Sequence, residues 1–325
     1  MRLPHYVALV VLSTLWGSAF MLVKVALDEL TPLTLVEGRL SGAALFLATV
    51  LVVTGRSLPR SPRPWLIFAV MGVVNMVFPF TLLAWGQQHI ESSQAAILVA
   101  SMPLSTGILA HFWINERLTT DRALGVLVGF AGVFVLIGGD LGDLTESSTL
   151  AQLAVLVGVF GYAVGTVFAR RYLQDGDPVV FATGQTIVAA AIMAPVALAV
   201  DQPFDLAISA KVGLSWATLG LVNSGVAYLL FFWLLQRVTA TQASMVTYLV
   251  PVTALFLGAL VLDERLGANS FVGLAVIVAG VWIVNGGGSW LAQRVRGERA
   301  AAEVGAVGGG ADGEDGPRRP PAGTT

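Results

Sequence analysis

The chain has no cysteine among its 325 residues, so a disulfide frame, a thiolate metal site and a thiol nucleophile are all excluded. Lysine is almost missing too. Neither Lys24 nor Lys211 follows a GxxxxG stretch, so this chain carries no phosphate-cradling loop and no ATP motor built on one. The three histidines, His5, His89 and His111, lie far apart and show no HExxH or other ligand spacing. Only His111 approaches membrane depth, and it has no evident partner for catalysis. We therefore expect no catalytic, cofactor-binding or metal site, and no nucleic-acid partner. Charge of either sign is scarce, at 12% of residues, about half of what a soluble surface needs.

What the chain has instead is apolar sequence. Hydrophobic residues make up 56%, and mean hydropathy is +0.79. They fall in successive runs of about 20 residues, the length that crosses a bilayer as a helix. The fold expected is an all-α membrane protein with ten transmembrane helices. We place them near 6–27, 33–54, 64–85, 94–112, 121–138, 149–170, 179–200, 212–234, 242–262 and 268–287. Proline and glycine mark the ends: Thr31-Pro32, Pro59 to Pro64, Gly138-Gly139, Asp177-Pro178 and Gly286 to Gly288. The first run is too long for a signal-peptide core, carries Lys24 and lacks a small-residue cleavage site, so it is expected to stay as a span.

Arginine and lysine set the orientation. With the N-terminus inside, the inner segments hold fourteen of the 18 cations, and the outer ones hold only Lys211 and Arg265. A multi-pass protein of a bacterial or archaeal cytoplasmic membrane with both termini cytoplasmic is expected. From Ala292 to Thr325 the sequence turns to Gly, Ala, Pro, Arg and acid with no apolar period, and reads as a disordered cytoplasmic tail.

Sliding the chain 148 residues along itself reveals an internal repeat. Trp85, Gln88, Pro103, Glu116-Arg117-Leu118, Gly125, Gly132 and Gly138 fall on Trp233, Gln236, Pro251, Glu264-Arg265-Leu266, Gly273, Gly280 and Gly286. Upstream the offset slips to 146, where Gly38 meets Gly184 and Arg39 meets Gln185. Each half then holds five spans. Five is odd, so the second half enters the membrane inverted, as in secondary transporters.

These residues carry a resemblance. Trp16-Gly17, Pro103 and Glu116-Arg117-Leu118 with the glycines beyond resemble an EamA domain, and Pro251, Glu264-Arg265-Leu266, Gly273 and Gly280 resemble a second. Two in tandem, at 6–139 and 149–287, resemble a member of the drug/metabolite transporter superfamily. The resemblance implies a carrier that works without ATP, commonly an exporter of amino acids or other small metabolites. It implies a central cavity lined by the first four helices of each half, with the fifth and tenth peripheral. A carrier of nucleotide-sugar or lipid-linked substrates and a non-transporting membrane scaffold are the alternatives. The expected partners are a small-molecule substrate, the lipid bilayer and a coupling proton.

Residues 33–53, LTLVEGRLSGAALFLATVLVV, hold Glu37 and Arg39 within a span. Two apart on a helix, they point to nearly opposite sides and are poorly placed to pair. Arg39 lies roughly 9 Å below the outer end at 1.5 Å per residue. It either faces the cavity or snorkels to the rim; intramembrane charges usually face the interior or water, which favours the cavity. Glu37 reads equally as a rim or a pathway residue. Lys24, one turn before Asp28, is expected to form an interfacial ion pair. Trp16, Trp85, Gln88, Tyr162, Gln185, Asn223, Tyr228 and Tyr248 complete the candidate transport pathway. Pro103 and Pro251 are expected to kink the fourth and ninth helices, and Glu116 and Glu264 to pin helix ends.

Overall fold

A computed structural model describes residues 3–113, 119–137, 147–172, 176–203, 206–235, 237, 246–265 and 267–283. The chain is helical throughout these residues, with no strand among them. The elements are α1 (Leu3–Ala26), α2 (Pro32–Val53), α3 (Pro62–Gln87), α4 (Ser92–Trp113), α5 (Thr120–Ile137), α6 (Ser147–Tyr172), α7 (Pro178–Val200), α8, α9 (Val246–Val261) and α10 (Ala268–Trp282). The eighth runs from Ala210–Thr218 through a π-helical segment, Leu219–Val226, into Ala227–Leu235. Seven of them, α1 to α4 and α6 to α8, are long and apolar enough to cross a membrane. In α5, α9 and α10 the described apolar helices are shorter: Ala123–Leu136, Leu249–Val261 and Ala268–Trp282.

Local chemistry explains the ends. Pro32, Pro62 and Pro178 each open a helix, where a missing N–H goes unnoticed. Asp177 caps α7 by accepting from the N–H groups of Val179 and Val180, and Ser209 caps α8 by accepting from Val212. The C-terminus of α2 closes in a Schellman turn, with Arg56 N–H on the Leu51 carbonyl and Gly55 N–H on that of Val52. Gly55 takes φ +68° there, a conformation that other residues rarely adopt.

Large apolar side chains such as Leu45, Val52, Phe112, Leu127, Leu214 and Phe256 face outward. This is the surface expected of helices whose solvent is lipid. Inside, the helices pack in a closed circuit of neighbours: α1, α8, α2, α7, α3, α6, α4, α9 and back to α1. Beside that circuit α5 and α10 pack against one another.

The contacts recur with their partners exchanged. Gly132 packs on Gly273 and Ile277, and Gly280 packs on Gly125 and Gly129; adding 148 to one set produces the other. Gly38 lies on the Trp216 ring and Gly184 on the Phe68 ring; Gly220 meets the Arg39 carbonyl and Gly72 that of Gln185. As the chain runs from 125–129 to 132, its partners run backward from 280 to 273–277, so α5 and α10 are antiparallel. So are α2 and α7, where Thr34 bonds Asp201, Thr183 reaches the Leu47 carbonyl and Arg56 meets Asp177.

Two irregularities break α3 and α4. The first passes through a π-helical turn at Val73–Val77, and the second is interrupted at Ala100–Ser101, just before Pro103. At the equivalent Pro251, α9 continues as helix.

Candidate functional site

Arg39 leaves α2 toward the middle of the circuit. Its Nε donates to Ser224 Oγ of α8 at 2.9 Å, and its guanidinium carbon stands 3.9 Å from the centroid of the Phe80 ring of α3. Tyr162 of α6 and Tyr228 of α8 are close enough to interact with it electrostatically. Trp16 of α1 meets the Tyr228 ring edge-on at 6.4 Å and Phe231 at 5.2 Å. Tyr162 meets Phe80 in the same edge-on manner at 6.3 Å. Two of these pairings, Trp16–Tyr228 and Tyr162–Phe80, are again counterparts under the repeat. Helices from both halves therefore converge on one cation.

Arg39 as a whole residue is half-buried, and among the described residues no carboxylate pairs with its guanidinium. The stack on Phe80 is worth about 0.5–2 kcal/mol. One hydroxyl and one aromatic face leave a guanidinium with donors to spare. Gln185 of α7, the counterpart of Arg39, is 1% exposed and its Oε1 has no partner. Asn223 of α8 is equally buried: its amide nitrogen donates to the Leu15 carbonyl and to Ser18 Oγ, and its Oδ1 has no partner. Around Arg39 the described residues thus supply a hydroxyl, aromatic rings and a guanidinium with donors to spare, which suits a ligand with an anionic end.

Not every candidate gathers there. Glu37 and Arg39 do not pair. Glu37 is half-buried: one oxygen accepts from the exposed Ser41 Oγ at 2.5 Å, and its Oε2 is buried with no hydrogen-bond partner among the described residues. Trp85 and Gln88 are exposed at the C-terminal end of α3, where the Trp85 ring packs at a tilt against His89, 5.0 Å between centroids. Glu116 and the Tyr248 side chain lie outside the described residues. Glu264 accepts from the N–H groups of Ser92 (2.7 Å) and Ser93 (3.1 Å) and from the Ser93 hydroxyl, so it caps α4. Pro251 is buried within α9, and Gly17 of α1 packs beside it on the Val250 carbonyl and Thr253.

Lys24 corrects the sequence expectation. Its Nζ donates to the carbonyls of Gln87 (2.5 Å) and Ile90 (2.9 Å), while Asp28 pairs with Lys211 at 3.6 Å. The end of α3 presents carbonyls that lack intrahelical partners, and an ammonium satisfies two of them at once. Phe80 and Ser224 escaped the sequence reading. Shifting Tyr228 back by 148 residues lands on Phe80, so the repeat itself carried that signal; nothing marked Ser224 apart from its neighbour Asn223.

Comparison with known proteins identifies the family. The profile of the EamA-like transporter family matches residues 3–138 and 149–286. The chain is similar to the uncharacterized transporter YoaV of Bacillus subtilis, 25% identical, covering 83% of this chain and 92% of that one. It is 28% identical to a probable terminal-alkyne amino-acid exporter of Streptantibioticus cattleyicolor, over 86% of this chain and 92% of the other. The uncharacterized inner membrane transporter YedA of Escherichia coli K12 is 27% identical, over 87% and 90%. A solved crystal structure superimposes with a TM-score of 0.64 over 91% of this chain and 99% of its own, at 18% identity, which is a likeness of fold.

Proposed function

The chain belongs to the EamA-like transporter family, and we propose that it is a secondary carrier exporting small organic metabolites, amino acids or close relatives, across the cytoplasmic membrane without ATP. The observation that carries this reading is Arg39, a guanidinium without a carboxylate partner among the described residues, held at the meeting point of helices from both halves. A charge left at such depth in lipid costs on the order of 2.5–3.5 kcal/mol, and a ligand carboxylate offsets it. A guanidinium can grip a carboxylate through two parallel hydrogen bonds. The name of the Streptantibioticus relative supports an amino-acid cargo and an outward direction.

The architecture belonging to this reading is two inverted five-helix repeats crossing the membrane ten times, with α5, α9 and α10 among the crossings. The exchanged contacts and the antiparallel α5 and α10 support it. Both termini are cytoplasmic, in keeping with the arginine bias, and a substrate or proton gradient drives the cycle.

Purified protein in liposomes, tested for counterflow of a panel of radiolabelled L-amino acids with and without a pH gradient, provides the test. We expect uptake of at least one compound, strongly reduced by Arg39→Gln at equal folded protein. Full uptake by Arg39→Gln would remove the arginine from the site.

A further inference from the structure

Two π-helical segments sit at equivalent places in the halves, Val73–Val77 in α3 and Leu219–Val226 in α8. Each carries an asparagine, Asn75 and Asn223, 148 residues apart. A π turn takes in an extra residue and loosens the regular ladder of helix bonds, and such turns are frequent at functional sites. The neighbours are equivalent as well: Asn75 packs on Gly165 of α6, and Asn223 lies against Leu15 and Ser18 of α1.

Here the exchange of contacts fails. Asn223 donates both to the Leu15 carbonyl and to Ser18 Oγ (3.0 Å), whereas the Asn75 side chain makes no hydrogen bond among the described residues. Ser224, the next residue of the same turn, accepts from Arg39. One π turn of α8 therefore holds the arginine of α2 on one side and the backbone of α1 on the other. Both α1 and α2 belong to the opposite half of the chain from α8.

We propose that this turn couples Arg39 to α1, with Ser224 and Asn223 as positioning residues for the transport cycle. An anion that draws the guanidinium off Ser224 loosens the turn, and Asn223 then releases α1 from α8. This inference rests on reading Arg39 as the ligand site, but the coupling can be measured without any ligand, because Ser224→Ala breaks the same bond that an anion would break.

The chain has no cysteine, so spin labels can be placed at Val11→Cys and Leu214→Cys, exposed positions of α1 and α8. Distances between them are then read by pulsed electron resonance in lipid nanodiscs. Asn223→Ala should move the ratio of distance populations by about tenfold, as loss of two partly buried hydrogen bonds implies. Ser224→Ala should favour the same new population, the double variant should add little, and Asn75→Ala should resemble the parent. Asn223→Asp keeps the shape and separates latch from packing: its protonated carboxyl can donate to Leu15 and its ionised form cannot. The parent population should hold at low pH and give way as pH rises. An unshifted Asn223→Ala overturns the latch, an unshifted Ser224→Ala overturns the coupling, and an equal response to Asn75→Ala overturns its one-sidedness. Normal counterflow by Arg39→Gln alongside these shifts would instead strike at the transport site.

Discussion

At the scale of single residues, Arg39 makes two demands separable by substitution. The charge is expensive to insert, so Arg39→Gln should reach the membrane and fold as well as the parent. The planar fork is what a carboxylate recognises, so Arg39→Lys should restore only part of the transport lost by Arg39→Gln. Loss of a charge-assisted bidentate contact predicts roughly tenfold to a hundredfold weaker apparent affinity, read as KM in counterflow, with Arg39→Lys between the parent and Arg39→Gln. Equal KM for all three would mean that the arginine only positions α2. Glu37, bonded to Ser41 of its own helix and to nothing around Arg39 among the described residues, predicts a different result: Glu37→Gln should leave KM unchanged, and a KM loss matching that of Arg39→Gln would place it in the pathway after all.

At the scale of elements, most bonds that hold one helix to another end at a helix terminus. Glu264 reaches from the start of one half's last loop to the first N–H groups of α4, and its negative charge also favours the positive end of that helix. Glu264→Ala should destabilise the protein by about 1–2 kcal/mol while transport per folded molecule is kept. Thermal unfolding in detergent beside normalised counterflow reads both, and a loss of activity at full stability would make this glutamate part of the cycle. Arg56 and Asp177 tie the end of α2 to the start of α7 at 2.6 Å. Burial pushes the Asp177 carboxyl upward, but the Arg56 bond and the N–H groups of Val179 and Val180 outweigh it and hold the carboxyl below its ordinary value. A depressed folded value means that the tie contributes above the unfolded value of about 3.9 and is lost as pH falls through the folded one. Both side chains are more than a third exposed, so the contribution stays within about 1 kcal/mol. Stability of the parent should therefore fall more than that of Asp177→Asn between pH 5 and pH 3, since the asparagine has no such charge to lose. Helix ends of this kind were legible, because proline, aspartate and glycine announce them. The break at Ala100–Ser101 was legible too, in Pro103, but the π turns were not, and the kink expected at Pro251 is absent from α9. An extra residue in a turn is stabilised by neighbours from other helices, and the polar Asn75 and Asn223 in apolar runs were the only trace. Lys24 was misread for the same reason, since its acceptors stand 63 and 66 residues away. At the centre, Arg39 was conspicuous as a charge in a span, while Phe80 and Ser224 are common residue types that only the folded circuit brings to it.

At the scale of the whole molecule, the question is whether the three shorter helices cross the membrane. Exchange of contacts between positions 146 or 148 apart relates the halves by a twofold operation, and the antiparallel α5 and α10 require its axis to lie across the helices. Applied to a membrane protein, such an axis lies in the bilayer plane, and each half must then cross an odd number of times. The parity can be measured, because the chain has no native thiol. Ser61 precedes α3, Gln202 follows α7 and Arg265 follows α9; all three are exposed. If α5 crosses, Ser61 and Gln202 are separated by five spans and lie on opposite sides; if α9 crosses as well, Arg265 lies with Gln202. The arginine bias puts Ser61 inside. An impermeant thiol reagent applied to intact cells, with any outer membrane permeabilised, should label Gln202→Cys and Arg265→Cys and spare Ser61→Cys until the inner membrane is opened. Labelling of Ser61→Cys alone would reverse the orientation and keep the parity. Ser61→Cys and Gln202→Cys behaving alike would mean that an odd number of the helices between them fails to cross, and the inverted arrangement would fall with it.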